Sequence, residues 1–386
     1  MNFARDVVDA AEPGRPALLT LARDGERREI AFAEVADRSA RLAGALAARG
    51  VGRGDVVMTL VGNRPEWVYA MVAVWRLGAV AQPCIEQLRP RDLRARMELV
   101  DPRAVVVDER DASVVEESGF DGPVLVVPDE RHFEADPAPA AELDDADPAL
   151  IVFTSGTAGE PKPIRHGHGY LAGQAVQAEH WFGARPGDLC WCTAASGWSK
   201  SARNVFVAPW LRGAAALLHD ARFDADERIE ILARERVDVL CMAPTEYRAI
   251  AKRVELRALP DLRHAVAAGE PLNPEVVHAW SDAAGVAVHD GYGQTETGAL
   301  TGMPIGPPVR PGSMGTPLPG FRMWIDAGEL CVDPRTVPTF FLDGPRDQPW
   351  RTGDRVRQDE DGYLWFEGRT DDVIISAGYR IGPFEV

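Results

Sequence analysis

Lysine is almost missing from this sequence. The 386 residues hold three, Lys162, Lys200 and Lys252, within a lysine plus arginine total of 42. The arginine and alanine bias matches a GC-rich coding sequence, so a lysine kept in a glycine-rich loop is informative. Positive charge is also in deficit: 59 acidic residues set the net charge at −17, which argues against broad binding to nucleic acid or anionic membranes. Basic groups that meet an anionic ligand must therefore be local. The five cysteines (Cys84, Cys190, Cys192, Cys241, Cys331) are odd in number and scattered. No pair has zinc-site spacing, and a reduced, cytoplasmic setting fits them. Cys190 and Cys192 fall on one face of an expected strand and Cys241 reads as a small buried hydrophobe. His166 and His168 offer half a metal site with no third ligand, and a loop position is expected for them. No stretch is long and apolar enough for a membrane span, and the N-terminus lacks a basic segment followed by an apolar run.

What is present is ordinary globular material, 46% hydrophobic and 26% charged, in a chain too long for one compact core. Residues 31–49 carry a helical stripe (Phe32, Val35, Leu42, Leu46), and helices are also expected at Pro65–Leu77, Arg228–Arg236 and Pro274–Ala284. They alternate with short apolar runs at Val56–Leu60, Ala104–Val107, Val124–Val127 and Val237–Met242. This alternation predicts the α/β class, with parallel sheets covered by helices in two or more subdomains. Gly50–Gly54 follows a helix and precedes a strand, the reverse of a dinucleotide fingerprint, and reads as a turn. Residues 129–147 are acidic and proline-bearing, an exposed connection. Beyond about residue 312, short runs such as Met323–Ile325 and Leu330–Val332 predict a smaller β-rich subdomain.

The chain is organised around Ala149–Lys162. Five apolar or β-branched residues lead into Thr154, Ser155, Gly156, Thr157 and Gly159, and Lys162 closes the segment. Glycines let backbone N–H groups approach an anion, hydroxyls add donors, and lysine adds a point charge, which together suit a triphosphate. A Walker loop needs Gly-Lys-Ser/Thr in direct succession. Here Pro161 and Pro163 flank the lysine, which keeps it off the start of a regular helix. Taken alone, the loop reads equally as a Gly/Ser/Thr-rich surface loop with a solvated lysine.

Three further segments decide between these readings: Asp290-Gly-Tyr-Gly-Gln-Thr-Glu-Thr-Gly298, Arg351-Thr-Gly-Asp354, and Gly368-Arg-Thr-Asp-Asp372 running on to Gly382. All four segments, in this order and separation, resemble the adenylate-forming superfamily. The resemblance runs from about residue 30 to the end, and is strongest to medium-chain and aromatic acyl-CoA synthetases (AMP-forming). It implies two α/β subdomains and a small distorted β-barrel near 312–370, forming a large domain over 1–370, with 371–386 as hinge and start of a further domain. Thr154, Ser155, Gly156, Thr157, Gly159 and Lys162 match the phosphate loop, with Ala158 where a second threonine is usual. Gly269, Glu270 and Pro271 match the adenine-pocket segment. Asp290, followed by Gly291 and Tyr292, matches the contact to the adenine amino group, Thr295 a phosphate contact, and Glu296 the Mg²⁺ carboxylate. Asp354 matches the ribose carboxylate, Arg369 and Arg380 the arginines near ribose and phosphate, and Asp371 the hinge. Thr154, Lys162, Glu296 and Arg369 are the candidate catalytic groups.

The implied chemistry is attack of a carboxylate on the α-phosphorus of ATP, giving an acyl-adenylate and pyrophosphate, followed by displacement of AMP by coenzyme A. Both first-step reactants are anions, so charge neutralisation and positioning are required. Trp198 is expected to border the acyl pocket. Gly293 stands where acetate-specific relatives carry tryptophan, which predicts an acid larger than propionate. Lys200 reads either as a contact to acid or pantetheine phosphate, or as a surface residue. The family's catalytic lysine belongs to a domain beyond the hinge, so both half-reactions are expected to be severely impaired in this polypeptide. Alternatives are a carrier protein as acceptor, a silent acyl-adenylate or ATP-binding module, and a plain P-loop hydrolase, which the loop spacing disfavours. The oligomeric state is left open.

Overall fold

The structure, a computed structural model, describes residues 1–155 and 161–370 together with the strands Ile374–Ser376 and Tyr379–Ile381. Two parallel-based sheets carry the chain. In the first, Val124–Val127, Ala104–Asp108, Val56–Leu60, Val80–Pro83 and Pro148–Ser155 lie side by side in parallel, and Pro161–Gly167 closes one edge antiparallel. The second has nine strands. Its parallel centre runs Val288–Gln294, His264–Ala268, Val239–Met242, Leu189–Cys192, Ala215–His219 and Pro16–Leu21, with antiparallel strands at both edges. Near-continuous Val/Ala/Leu runs are what strands buried on both faces require.

The expected helices form as Phe32–Ala47, Pro65–Arg76, Ala225–Arg234 and Pro274–Ala284. Proline stands at the start of the second and fourth, where its missing N–H is harmless. The major core is aromatic: Phe3, Phe32, Trp67, Trp75, Phe206 and Trp210 pack together, with Trp75 and Trp210 donating to the Ala149 and Ala17 carbonyls at 2.9 and 3.0 Å. Met323–Asp326, Glu329–Val332, Trp350–Gln358 and Leu364–Arg369 form a separate four-stranded antiparallel sheet, the small β-rich part.

Two local expectations are corrected. His166 and His168 do not sit in a loop: His166 lies in strand Pro161–Gly167, His168 opens helix His168–Gln177, and both are buried. Lys200 is buried, so the surface alternative fails. Cys190, Cys192 and Cys241 lie in the core, as read. Among the described residues no group of three His, Cys, Asp or Glu side chains is placed to hold a metal. No described helix is long and apolar enough to cross a membrane.

Candidate active site

A cleft opens at the carboxyl ends of the central strands, the place where open α/β sheets take ligands. Thr154 enters it from the end of Pro148–Ser155. Gly269, Glu270 and Pro271 follow strand His264–Ala268, and Asp290, Gly291, Tyr292, Gly293 and Thr295 come from or just after strand Val288–Gln294. Trp198 lines the cleft as well, and the small sheet contributes Asp354 and Arg369. The structure thus brings together residues spread over more than two hundred positions. Lys162 and Glu296 are not among the lining residues. Lys162 is exposed directly across the hairpin from Thr154, in a strand, so it indeed starts no helix. Ser155 (side chain), Gly156, Thr157, Gly159, Arg380 (side chain) and Asp371 lie outside the described residues.

Asp354 is the most densely bonded group. Strands Trp350–Gln358 and Leu364–Arg369 pair it with Arg369, whose Nη1 donates to Oδ1 at 2.8 Å, both side chains being buried. The Tyr292 hydroxyl and Gln294 Nε2 (3.0 Å) both donate to Oδ2. Gln294 is itself held by the Thr352 carbonyl and the Trp350 indole, at 2.7 and 3.0 Å. A carboxylate offers about four acceptor positions, and three are filled. A diol bound there through two hydrogen bonds must displace one protein donor.

Asp290 has a different environment. It is buried and accepts from the Gly291 backbone N–H at 2.9 Å, but no cation among the described residues compensates it, and burial pushes its carboxyl up to about 8. Glu270, which also lines the cleft, receives the Thr245 N–H at 2.7 Å and the Thr245 hydroxyl. It therefore fixes the start of helix Pro244–Arg253, a structural duty the sequence did not reveal. Gly293 is also more constrained than expected. A Cβ there would lie 2.0 Å from the Gly298 carbonyl oxygen, so glycine permits the close approach of two strands at an irregular pair, and no empty indole-sized space lies behind it.

Sequence reasoning missed Trp181. Its ring lies against Gly291 and Gly302, which face each other across two strands, and a Cβ on either would come within 2.6 Å of the indole. It also missed Gln294, Arg203 and His166. The His166 ring bonds the Thr295 carbonyl at 2.8 Å, so strand Pro161–Gly167 positions Thr295. Burial lowers His166 and His264 to about 3 and His168 to about 4. These rings are neutral in the fold but charge in the unfolded chain below about 6.5. Their contribution to stability is complete above that pH and is lost as pH falls toward 4, by about 1.4 kcal/mol per pH unit for each ring. His166→Phe is expected to flatten the dependence of the urea midpoint on pH between 6 and 4. An unchanged slope would contradict the buried neutral ring.

Glu296 is buried and its Oε2 has no hydrogen-bond partner among the described residues. One hard carboxylate oxygen held in reserve fits Mg²⁺, which takes one or two protein carboxylates and completes its shell with water and substrate phosphates.

Comparison with known proteins gives one answer. The family model of the AMP-binding enzymes matches residues 5–338. An uncharacterised acyl-CoA ligase of Bacillus subtilis (strain 168) is 35% identical over 411 residues, covering 96% of this chain and 77% of the relative. The mitochondrial acyl-coenzyme A synthetase ACSM3 of Rattus norvegicus is 33% identical over 435 residues, covering all of this chain and 75% of the relative. The crystal structure of a Brucella canis acyl-CoA synthetase superposes with a TM-score of 0.88 at 29% identity, covering 100% of this chain and 78% of that one. With a family model over most of its length and relatives above 30% identity along the whole of it, the chain belongs to the AMP-binding enzymes of the adenylate-forming superfamily, beside the acyl-CoA ligases.

Proposed function

We propose that this chain is the nucleotide- and acid-binding unit, over residues 1–370, of an AMP-forming acyl-CoA ligase. ATP and a medium-chain or aromatic carboxylic acid meet in the cleft and give an acyl-adenylate, which is passed to coenzyme A. The observation that carries this reading is the buried Asp354–Arg369 pair, with Tyr292 and Gln294, facing Asp290 and the Gly269–Pro271 loop in one cleft. In this arrangement Asp354 and Arg369 hold the ribose, and Asp290 faces the adenine amino group beside Gly291, Tyr292 and residues 269–271. Thr154, Thr295 and the loop of Ser155, Gly156, Thr157 and Gly159 take the phosphates, with Lys162 and Arg380 as neighbouring cations. Glu296 would hold Mg²⁺, which neutralises phosphate charge when bound. Trp198 borders the acid, and Asp371 is the hinge.

Product analysis tests this. With ATP, magnesium, coenzyme A and a medium-chain or aromatic acid, AMP and pyrophosphate are expected in equal amounts, and only when the acid is present; without coenzyme A the products are pyrophosphate and the acyl-adenylate. ADP and phosphate formed without acid would replace the reading with that of a hydrolase. Transfer to a carrier protein in place of coenzyme A shares every group named here and differs only in the acceptor thiol.

A further inference from the structure

Besides Arg369, whose side chain is buried against Asp354, four lysine or arginine residues are buried as whole residues among the described ones: Arg76, Lys200, Arg203 and Arg228. Arg76 meets Asp9 at 2.5 Å and Arg228 meets Glu246 at 3.8 Å. Lys200 and Arg203 pair with no carboxylate among the described residues, and both line the cleft. Each is 7% exposed. Arg203 Nε and Nη1 have no hydrogen-bond partner among the described residues, and the Tyr170 hydroxyl and the His166 ring are polar neighbours of the side chain. Lys200 donates to the Ala268 carbonyl at 2.9 Å and stands 5.5 Å from the centre of the Trp198 ring.

Their placement is local in origin. After strand Leu189–Cys192 the chain turns through Trp198 and enters a helix that widens to π geometry at Arg203–Val207. Such widened turns recur at functional sites. Arg203 lies beside the hairpin that carries Gly293, with Nη1 3.5 Å from the position of a Cβ on Gly298. Burying a cation without an anion is expensive, and a fold keeps such a group only when something compensates it. Here two of them line the same cleft as Trp198, Gly293 and Ala299.

We propose that this end of the cleft selects an acid with a second, remote anionic group, a dicarboxylic acid, whose distal carboxylate sits on Arg203 and Lys200 while the other carboxylate is activated. The planar guanidinium fork suits a carboxylate held through two parallel bonds, and the ammonium adds a point charge. The proposal rests on the acyl-adenylate reading of the cleft and narrows its substrate class.

Matched pairs of hydrolysis-resistant N-acylsulfamoyl adenosines test it: succinyl against butanoyl, glutaryl against pentanoyl, adipoyl against hexanoyl. Within at least one pair the carboxylate-ended compound is expected to bind about tenfold tighter or more, the scale of a charge-assisted hydrogen bond. Arg203→Met is expected to reverse that preference while leaving the unliganded melting temperature unchanged or higher, because the buried cation is gone. Tighter or equal binding of the methyl-ended member in every pair would overturn the proposal, as would an Arg203→Met variant that keeps the preference. Binding of neither member by folded protein would overturn the acyl-adenylate reading itself, and the proposal with it.

Discussion

Replacing Asp354 by alanine is expected to weaken binding of an acylsulfamoyl adenosine by about 100-fold or more and to lower the melting temperature by several degrees. The first effect follows from the proposed role, since the variant lacks the acceptor for the ribose. The second follows from the network: Arg369, Tyr292 and Gln294 all donate to this one carboxylate. Removing one member of a buried pair leaves the other as an uncompensated charge, at a cost of about 3–5 kcal/mol. Asp354→Asn, which keeps the volume and one acceptor oxygen, is expected to fold better yet still bind poorly. The two effects therefore separate in a titration of both variants alongside their thermal melts. Wild-type affinity in a folded Asp354→Asn variant would remove Asp354 from the ligand site.

Replacing Asp290 by asparagine is expected to do the opposite to stability. The folded carboxyl sits at about 8, well above its ordinary value of 3.8, because burial disfavours its charge. A raised folded value means that the stability contribution is complete below about 3.8 and is lost as pH climbs to about 8. The variant has no such loss. It is expected to match the wild type near pH 4 and to exceed it by a few kcal/mol at pH 8, a gain of several degrees in melting temperature. Titrated above pH 8, where the Asp290 carboxyl is ionised, affinity for the adenine nucleotide is expected to fall about tenfold, as an anionic acceptor is exchanged for a neutral one. A fold that carries a destabilising carboxylate where a ligand's donor is expected is trading stability for binding. A variant less stable than wild type at pH 8 would show that the site holds the charge comfortably.

Much of this arrangement was legible in the sequence because its parts are local. Strand Pro148–Ser155 announces itself by five apolar residues before the first hydroxyl, and the helices by their stripes and terminal glycines or prolines. Asp290, Asp354 and Arg369 are each embedded in a short motif whose residue types match the chemistry. What stayed hidden depends on distant partners. Nothing near His166 foretells that its ring will reach the Thr295 carbonyl, 129 residues away in sequence. Gly293 suggested room, because a missing side chain is easily read as empty volume; the facing Gly298 carbonyl shows that the backbone fills it. Lys200 read either as a ligand contact or as a surface residue and Arg203 drew no reading, since burial of a cation without an anion is visible only once the fold surrounds it. Strand Pro161–Gly167 was missed because its two prolines disguise a strand; at the sheet edge the absent N–H groups are tolerated.

The central claim is that one cleft binds an acyl-adenylate with its adenosine between Asp290 and Asp354. The most direct measurement is a crystal structure of the chain with adipoylsulfamoyl adenosine bound. The account predicts adenine beside Asp290 and residues 269–271, ribose on Asp354 and Arg369, and the acyl chain running past Trp198 toward Arg203. Ligand density elsewhere on the protein, or in this cleft with the ribose away from Asp354, would contradict it.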